Sequence, residues 1–349
     1  IGQVLDDIGP SPDFAIVFMS GSFKNRFSQI HSALLELLAP KALMGCTADA
    51  VVYGAKEIED QSALTIFAGK FEGHATPVRI SNAVHSSPDA LLADNGLDAH
   101  TMLLLADPFS FPAEETIRHL RSSHPHIQVI GGLISSAQAR PSASLFLDGE
   151  IYSDGAVALL IGGSVEIEPL VSQGCRPIGT PLIVTKAEGN LVHELGGQPA
   201  LKRLEDIIAS MEEGERLQAT HGLHVGRVID EHKADFIPGD FLIRAVLGAD
   251  SDSGAVAIGD VAPVGSTIQF QVRDARAATD ELEHQVSRTP TGCGALLFTC
   301  NGRGTNLFET TNHDASRLAA CIHGEVVAGM FCAGEIGPVS AQSFLHGFT

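Results

Sequence analysis

A mixed α/β fold of the α+β class is predicted for this chain: repeated β-turn-α-β units, with additional antiparallel strands, forming mixed sheets covered by helices. Three observations predict it. An apolar run, a short turn, a helix-length stretch and a second apolar run recur three times along the sequence. Alternating strand-like segments without helices lie between the recurrences. The chain is 349 residues long and 44% hydrophobic, enough for two domains with sizeable cores.

The first copy opens with a strand at 14–18, turns at Met19-Ser20-Gly21-Ser22 and continues as a helix over 25–38, where Phe27, Ile30, Leu34, Leu37 and Leu38 recur at helical spacing. Pro40 ends that helix and a second strand starts at 42–47. The second copy has a strand at 102–106, the turn Asp107-Pro108, a helix over 113–121 and a strand at 129–133. The third has a strand at 295–299, the turn Cys300-Asn301-Gly302-Arg303-Gly304, a helix over 315–322 and a strand at 326–330. Each copy carries glycine just inside its second strand. Strands without helices are expected at 62–67, 143–147, 156–161 and 267–272. One further helix is expected over 201–217, with an apolar stripe of Leu201, Leu204, Ile207, Ile208 and Met211. It follows the turn Leu195-Gly196-Gly197-Gln198-Pro199, and the shift of composition there divides the chain into domains at 1–195 and 196–349.

Charge narrows the function classes. Lys and Arg number 22 against 42 Asp and Glu, a formal charge of −20, which repels nucleic-acid phosphates and anionic lipid. No nucleic-acid partner is expected. The six cysteines, at 46, 175, 293, 300, 321 and 332, show no CxxC and no zinc-like spacing, so no metal or cofactor is expected and a reducing, cytoplasmic setting fits. No run reaches the roughly 18 apolar residues that span a bilayer, so no membrane insertion is expected. The chain opens on Ile1 without methionine, so a trimmed N-terminus is expected.

The candidate site gathers in the third copy. Cys300 and Asn301 stand where a strand gives way to a turn, and Arg303 sits between glycines, Gly304 among them, that let backbone approach a ligand. A guanidinium near Cys300 favours the thiolate, and it offers a two-pronged contact to a carboxylate. That carboxylate is either a ligand's or that of Glu335 in the turn Gly334-Glu335-Ile336-Gly337-Pro338, and both readings stand. Glu335, if it faces a ligand amine while Arg303 faces its carboxylate, suits an amino acid. Cys46 and Thr47 occupy the corresponding strand of the first copy, and Gly131-Gly132 that of the second, where close packing is the simpler role. His346 closes the chain beside the third copy, and Arg176 is a charged residue in an uncharged stretch, expected in an ion pair.

These residues carry a resemblance to the FIST family, with its N and C domains. It rests on Gly45-Cys46-Thr47, on Gln173-Gly174-Cys175-Arg176-Pro177-Ile178-Gly179 and on Val184-Thr185-Lys186-Ala187-Glu188-Gly189-Asn190. The Cys-Asn-Gly-Arg-Gly turn, Ala333-Gly334-Glu335-Ile336-Gly337-Pro338 and Phe344-Leu345-His346-Gly347-Phe348 complete it. The resemblance implies an intracellular sensory module for a small ligand such as an amino acid. No F-box, kinase or methyl-accepting segment accompanies it, so output is expected through a protein signalling partner in trans. Two alternatives are an interaction scaffold and, less favoured, a thiol-dependent hydrolase or transferase using Cys300. The latter requires a base near that thiol, for which His313-Asp314 and His346 are the nearest in sequence.

Overall fold

The computed structural model describes all residues except 21–22, 24–25, 82–91, 93–97, 136–143, 290–291, 323–325 and 340, and the side chains of 217–218 and 220–221. The turn expected at Gly21-Ser22 lies outside the described residues, as do the first residue of the helix expected over 25–38 and the start of the strand expected at 143–147. The chain groups into two compact units that no single cut separates. One comprises residues 1–171, 285–345 and 349, the other 172–284 and 346–348.

The first unit begins with α1 (Gly2–Ile8), β1 (Phe14–Ser20) and α2 (Phe27–Ala33). Phe27, His31, Leu34 and Leu38 bury one face of α2 and of the π-helical turn Leu34–Leu38 that prolongs it, and left-handed Ala39 (φ 47°) then ends the helix before Pro40. β2 (Leu43–Ala48), β3 (Val51–Tyr53), β4 (Lys56–Ile58), β5 (Leu64–Gly69) and β6 (Gly73–Ile80) follow. The second copy comprises β7 (Ala99–Ala106), α3 (Ala113–Ser123) and β8 (Gln128–Ile134), and β9 (Leu145–Leu147), β10 (Glu150–Tyr152) and β11 (Ala156–Gly163) complete this stretch.

The second unit is a barrel. Its elements are β12 (Cys175–Pro177), β13 (Leu182–Glu188), β14 (Leu191–Leu195), β15 (Gln198–Pro199), α4 (Ala200–Ser210), α5 (Glu213–His221), β16 (Leu223–Val228), β17 (Phe241–Asp250), β18 (Ala255–Ile258), β19 (Thr267–Arg273) and α6 (Ala275–Arg288). Antiparallel pairing runs β19-β13-β14-β18-β17-β16 and returns from β16 to β19, closing a ring with no free edge. Val184, Val192, Val225, Val256, Ile268 and Phe270 fill its interior, and Leu204 of α4 packs with them. The single helix expected over 201–217 is two helices. Met211 is extended (ψ 154°), and Glu212 and Glu215 form a reciprocal capping box that starts α5 afresh.

The first unit is completed by β20 (Ala295–Cys300), α7 (His313–Ala319), β21 (Val327–Val339) and β22 (Gln342–His346). Each copy of the repeat is a parallel strand pair with its helix between: β1 with β2, β7 with β8 and β20 with β21. The glycine common to the copies has one cause in all three. Gly45 faces Val17, Gly131 faces Leu104 and Gly329 faces Leu297. A Cβ at those positions would stand 2.2, 2.0 and 2.0 Å from the partner residue's carbonyl oxygen. Only glycine lets the paired strands approach that closely.

Two sheets result. The first runs β10-β9-β2-β1-β5, and the second β4-β3-β21-β8-β7-β11-β6 with β20 and β22 also on β21. They pack face to face through Ile16, Phe18, Met44 and Cys46 on one side and Leu103, Leu105, Val157, Met330 and Cys332 on the other. The outer face of the first sheet buries Ala15, Val17 and Met19 under α1 and α2. The outer face of the second buries Met102 and Leu104 with Ile117 and Leu120 of α3, while α7 places Ala315 and Ala319 against Val327 and Phe331. The unit is thus a four-layer α/β/β/α sandwich, and the mixed α+β class stands.

Candidate functional site

The turn after β20 folds around a buried ion pair. Arg303 is 2% exposed and Asp314 3% exposed. Arg303 donates from Nε to Asp314 Oδ2 at 2.6 Å and from Nη2 to Oδ1 at 2.9 Å, a two-pronged contact. The Asp314 carboxylate also accepts from Thr299 Oγ1 at 3.1 Å and meets His313 Nδ1 at 2.8 Å. The His313 ring stacks on Phe308 with centroids 3.4 Å apart, and the Arg303 guanidinium lies 5.3 Å from the centre of that same ring. Burial alone would raise the Asp314 carboxyl. The hydrogen bonds and charges of His313 and Arg303 overcome it and hold the group far below the usual carboxylate range.

Two carboxylates from the first half of the chain lock this turn from below. Glu57 of β4 accepts at Oε1 from the amides of Asp314 and Ala315 at 2.8 and 2.9 Å, while its own amide donates to Asn312 Oδ1 at 2.8 Å. Burial pushes the Glu57 carboxyl up, and the neighbouring Asp314 charge adds to the rise against the pull of the two amides. Glu59 accepts from the Thr305 amide and from Thr305 Oγ1, the latter at 2.7 Å. Gly304 makes this possible: at φ +55° a Cβ there would lie 2.8 Å from both Glu59 Oε1 and Phe331 Cε1.

Above that anchorage Cys300, Asn301 and Gly302 are half-buried. The Cys300 amide donates to Thr349 O at 2.9 Å, and Cys300 Sγ accepts from the Gly302 amide at 3.3 Å. Asn301 donates from its amide to Cys332 O at 2.9 Å, while its side-chain oxygen is shielded from solvent and has no hydrogen-bond donor among the described residues. Glu335, 3% exposed, accepts at Oε2 from the Thr349 amide at 3.0 Å. Cys300, Thr349 and Glu335 are therefore linked by these bonds, with Asn301 next to Cys300 in the chain, and the carboxylate gripped by Arg303 is that of Asp314.

The remaining candidates have other partners among the described contacts. Cys46 is fully buried between the sheets with Sγ 3.2 Å from Met330 Sδ, and burial pushes its thiol far up. Thr47, also buried, accepts at Oγ1 from the Ser144 amide at 3.0 Å. His346 ends β22 and is 2% exposed. Arg176 belongs to the barrel unit, where it bridges Glu215 at 3.1 Å and Asp274 at 3.4 Å, the ion pairing expected of it. Glu57, Asn312 and Phe308 were not singled out by sequence. Glu57 carries no local signal: it stands in the charged run Lys56-Glu57-Ile58-Glu59-Asp60, 257 residues from the amide it receives.

The FIST N domain matches residues 13–198, and the FIST C domain matches residues 200–338. An uncharacterized protein of Mycobacterium bovis is 41% identical over 357 residues, spanning 100% of this chain and 92% of its own length. An uncharacterized protein of Mycobacterium tuberculosis is 41% identical over 349 residues, spanning 98% of this chain and 90% of its own. A more distant one from Methanocaldococcus jannaschii is 19% identical over 207 residues, 56% of this chain and 40% of its own. Among the described residues no helix is long and apolar enough to cross a membrane. FIST domains are in general sensory domains of signal transduction. With both of its domains matched in order along nearly the whole sequence, the chain belongs to the FIST family.

Proposed function

We propose that this chain is the small-ligand-binding sensory part of an intracellular signalling system, and that the turn at Cys300, Asn301 and Gly302 contacts the ligand. The observation that carries this reading is the pairing of a buried anchorage, Arg303 on Asp314, with a half-buried rim whose Asn301 oxygen lacks a donor among the described residues. A rigid base beneath an unsatisfied rim is how binding groups are held ready. Arg303 acts in this reading by positioning the rim. The rim offers acceptors: the Asn301 carbonyl, the Cys300 sulfur and, behind them, the Glu335 carboxylate. A ligand that brings N–H donors suits them, and an amino acid offering its ammonium group is such a ligand.

The test is a thermal-shift screen of the full chain against amino acids, small carboxylates and nucleotides. A ligand bound only by the folded chain adds about 2.7 kcal/mol at a hundredfold excess over Kd. An amine-bearing hit weakened at least tenfold by Asn301→Ala is the expected result. A hit indifferent to Asn301→Ala and Cys300→Ser refutes this location. A blank screen transfers the weight to the scaffold reading, which the exposed Leu247, Val261 and Val264 of the barrel unit favour.

A further inference from the structure

In the barrel unit a residue of the chain itself fills an aromatic slot. The Phe348 ring meets the His224 ring edge-on, centroids 4.0 Å apart at 76°, and lies 5.3 Å from the Arg273 guanidinium carbon. It packs beside the buried cluster of Cys175, Val228, Phe241 and Ile243. Phe348 reaches this place with φ 72°, in the left-handed region that a bulky side chain seldom adopts. The slot also carries polar capacity that the phenylalanine does not use. Arg273 Nη2 is shielded from solvent and has no hydrogen-bond partner among the described residues. Ser172 Oγ, on a residue 8% exposed, is in the same condition three residues before Cys175, the strand partner of Arg273. A guanidinium nitrogen shielded from solvent and left without an acceptor is costly, and a ring that attracts the cation but carries no acceptor leaves that hydrogen bond unmade.

We propose that this slot is a binding site for an aromatic carboxylate, whose ring takes the place of the Phe348 side chain and whose carboxylate accepts from Arg273 Nη2. Phe348 is then the resident competitor. It keeps the slot closed while no ligand is present, and its release relieves the left-handed backbone. His224 is suited to face the ring as a neutral imidazole: burial lowers its pKa, with the Arg273 charge acting the same way, against the hydrogen bond from its Nδ1 to Gly222 O at 2.7 Å. The ligand groups proposed here, Arg273 and the slot of Phe348, are other residues than those proposed at Cys300 and Asn301, so each proposal is tested on its own variants.

Phenylacetate and its uncharged analogue phenylacetamide are the probes, titrated calorimetrically into the full chain. Phe348→Ala is expected to bind phenylacetate at least tenfold more tightly than the unaltered chain, because the competitor is gone. It is also expected to prefer phenylacetate over phenylacetamide at least tenfold, and Arg273→Gln in the same background to abolish that preference. Equal binding of the two probes would show a mere cavity left by the lost ring and overturn the proposal, as would no binding of either. Should Phe348→Ala not fold, Phe348→Leu takes its place in the same comparison. In the unaltered chain, carbon-13 labelled phenylalanine must show the Phe348 ring signals moving as phenylacetate is added, and stationary signals at saturating probe also refute it.

Discussion

Replacing Asp314 by alanine is the sharpest test of the anchorage beneath the candidate turn. The change strips Arg303 of hydrogen bonds at 2.6 and 2.9 Å and leaves its guanidinium 2% exposed, with Thr299 and His313 losing an acceptor as well. Breaking a buried ion pair from one side costs about 3–5 kcal/mol, whereas an exposed pair is worth about 1 kcal/mol or less. The burial decides for the larger figure. The chain has no tryptophan, so urea unfolding is followed by far-UV circular dichroism, with the loss read at unchanged m value. The double variant Arg303→Met with Asp314→Leu restores an apolar pair of similar bulk and should recover most of the loss, because the cost lies in the charge left uncompensated. A loss below about 1 kcal/mol for Asp314→Ala would mean that water reaches Arg303, and the reasoning from burial would fail. Acid gives the same answer by another route. The folded-state Asp314 carboxyl is held below its ordinary value of 3.8, so its contribution is present above that pH and is lost as pH falls beneath it.

Gly329→Ala should cost more than about 3 kcal/mol or abolish folding, since its Cβ would stand 2.0 Å from Leu297 O, and a melting temperature within a few degrees of the parent would refute the close strand approach. Glu57 carries a carboxyl raised above its ordinary 4.5 by burial, so the folded chain loses stability as pH rises past that value. Glu57→Gln removes this titration, and the parent's stability relative to it should fall as pH rises above 4.5; a difference that does not vary with pH speaks against an ionisable Glu57 in that place. Iodoacetamide with mass spectrometry should label the exposed Cys293 and Cys321 promptly, and Cys46 and Cys332, both 0% exposed, only on unfolding. Native-state labelling of Cys332 at the rate of Cys321 would show that the interior between the sheets opens.

The three β-turn-α-β copies were legible because their cause is local. A strand, a turn and a helix each leave a periodicity, and the glycine facing a partner carbonyl repeats with them. The barrel was not. Its strands β14 and β18 span only Leu191–Leu195 and Ala255–Ile258, and register shifts interrupt the alternation along β13 and β17. Closure of the ring depends on β16 meeting β19, a pairing across some forty residues that no local pattern announces. In the site, the turn residues were visible as chemistry, yet the partner of Arg303 was not. Glycines on both sides suggest exposure, whereas Gly304 instead folds the turn inward under Glu59 and Phe331. Asp314 then stands nearest because α7 begins there, leaving Glu335 to receive the Thr349 amide.

The ring of strands in the second unit bears on how that unit can loosen. An open sheet frays from its outermost strands, one ladder at a time, and deuterium enters their amides early. Here β19 and β16 each have a neighbour on both sides, so there is no outermost strand in the ring to peel away first. Parting any one seam leaves the other five to hold the cylinder's strands in sequence, and exchange deep in the wall must await a larger opening. Such a body transmits a push as a whole, by turning or shifting, more readily than by local melting.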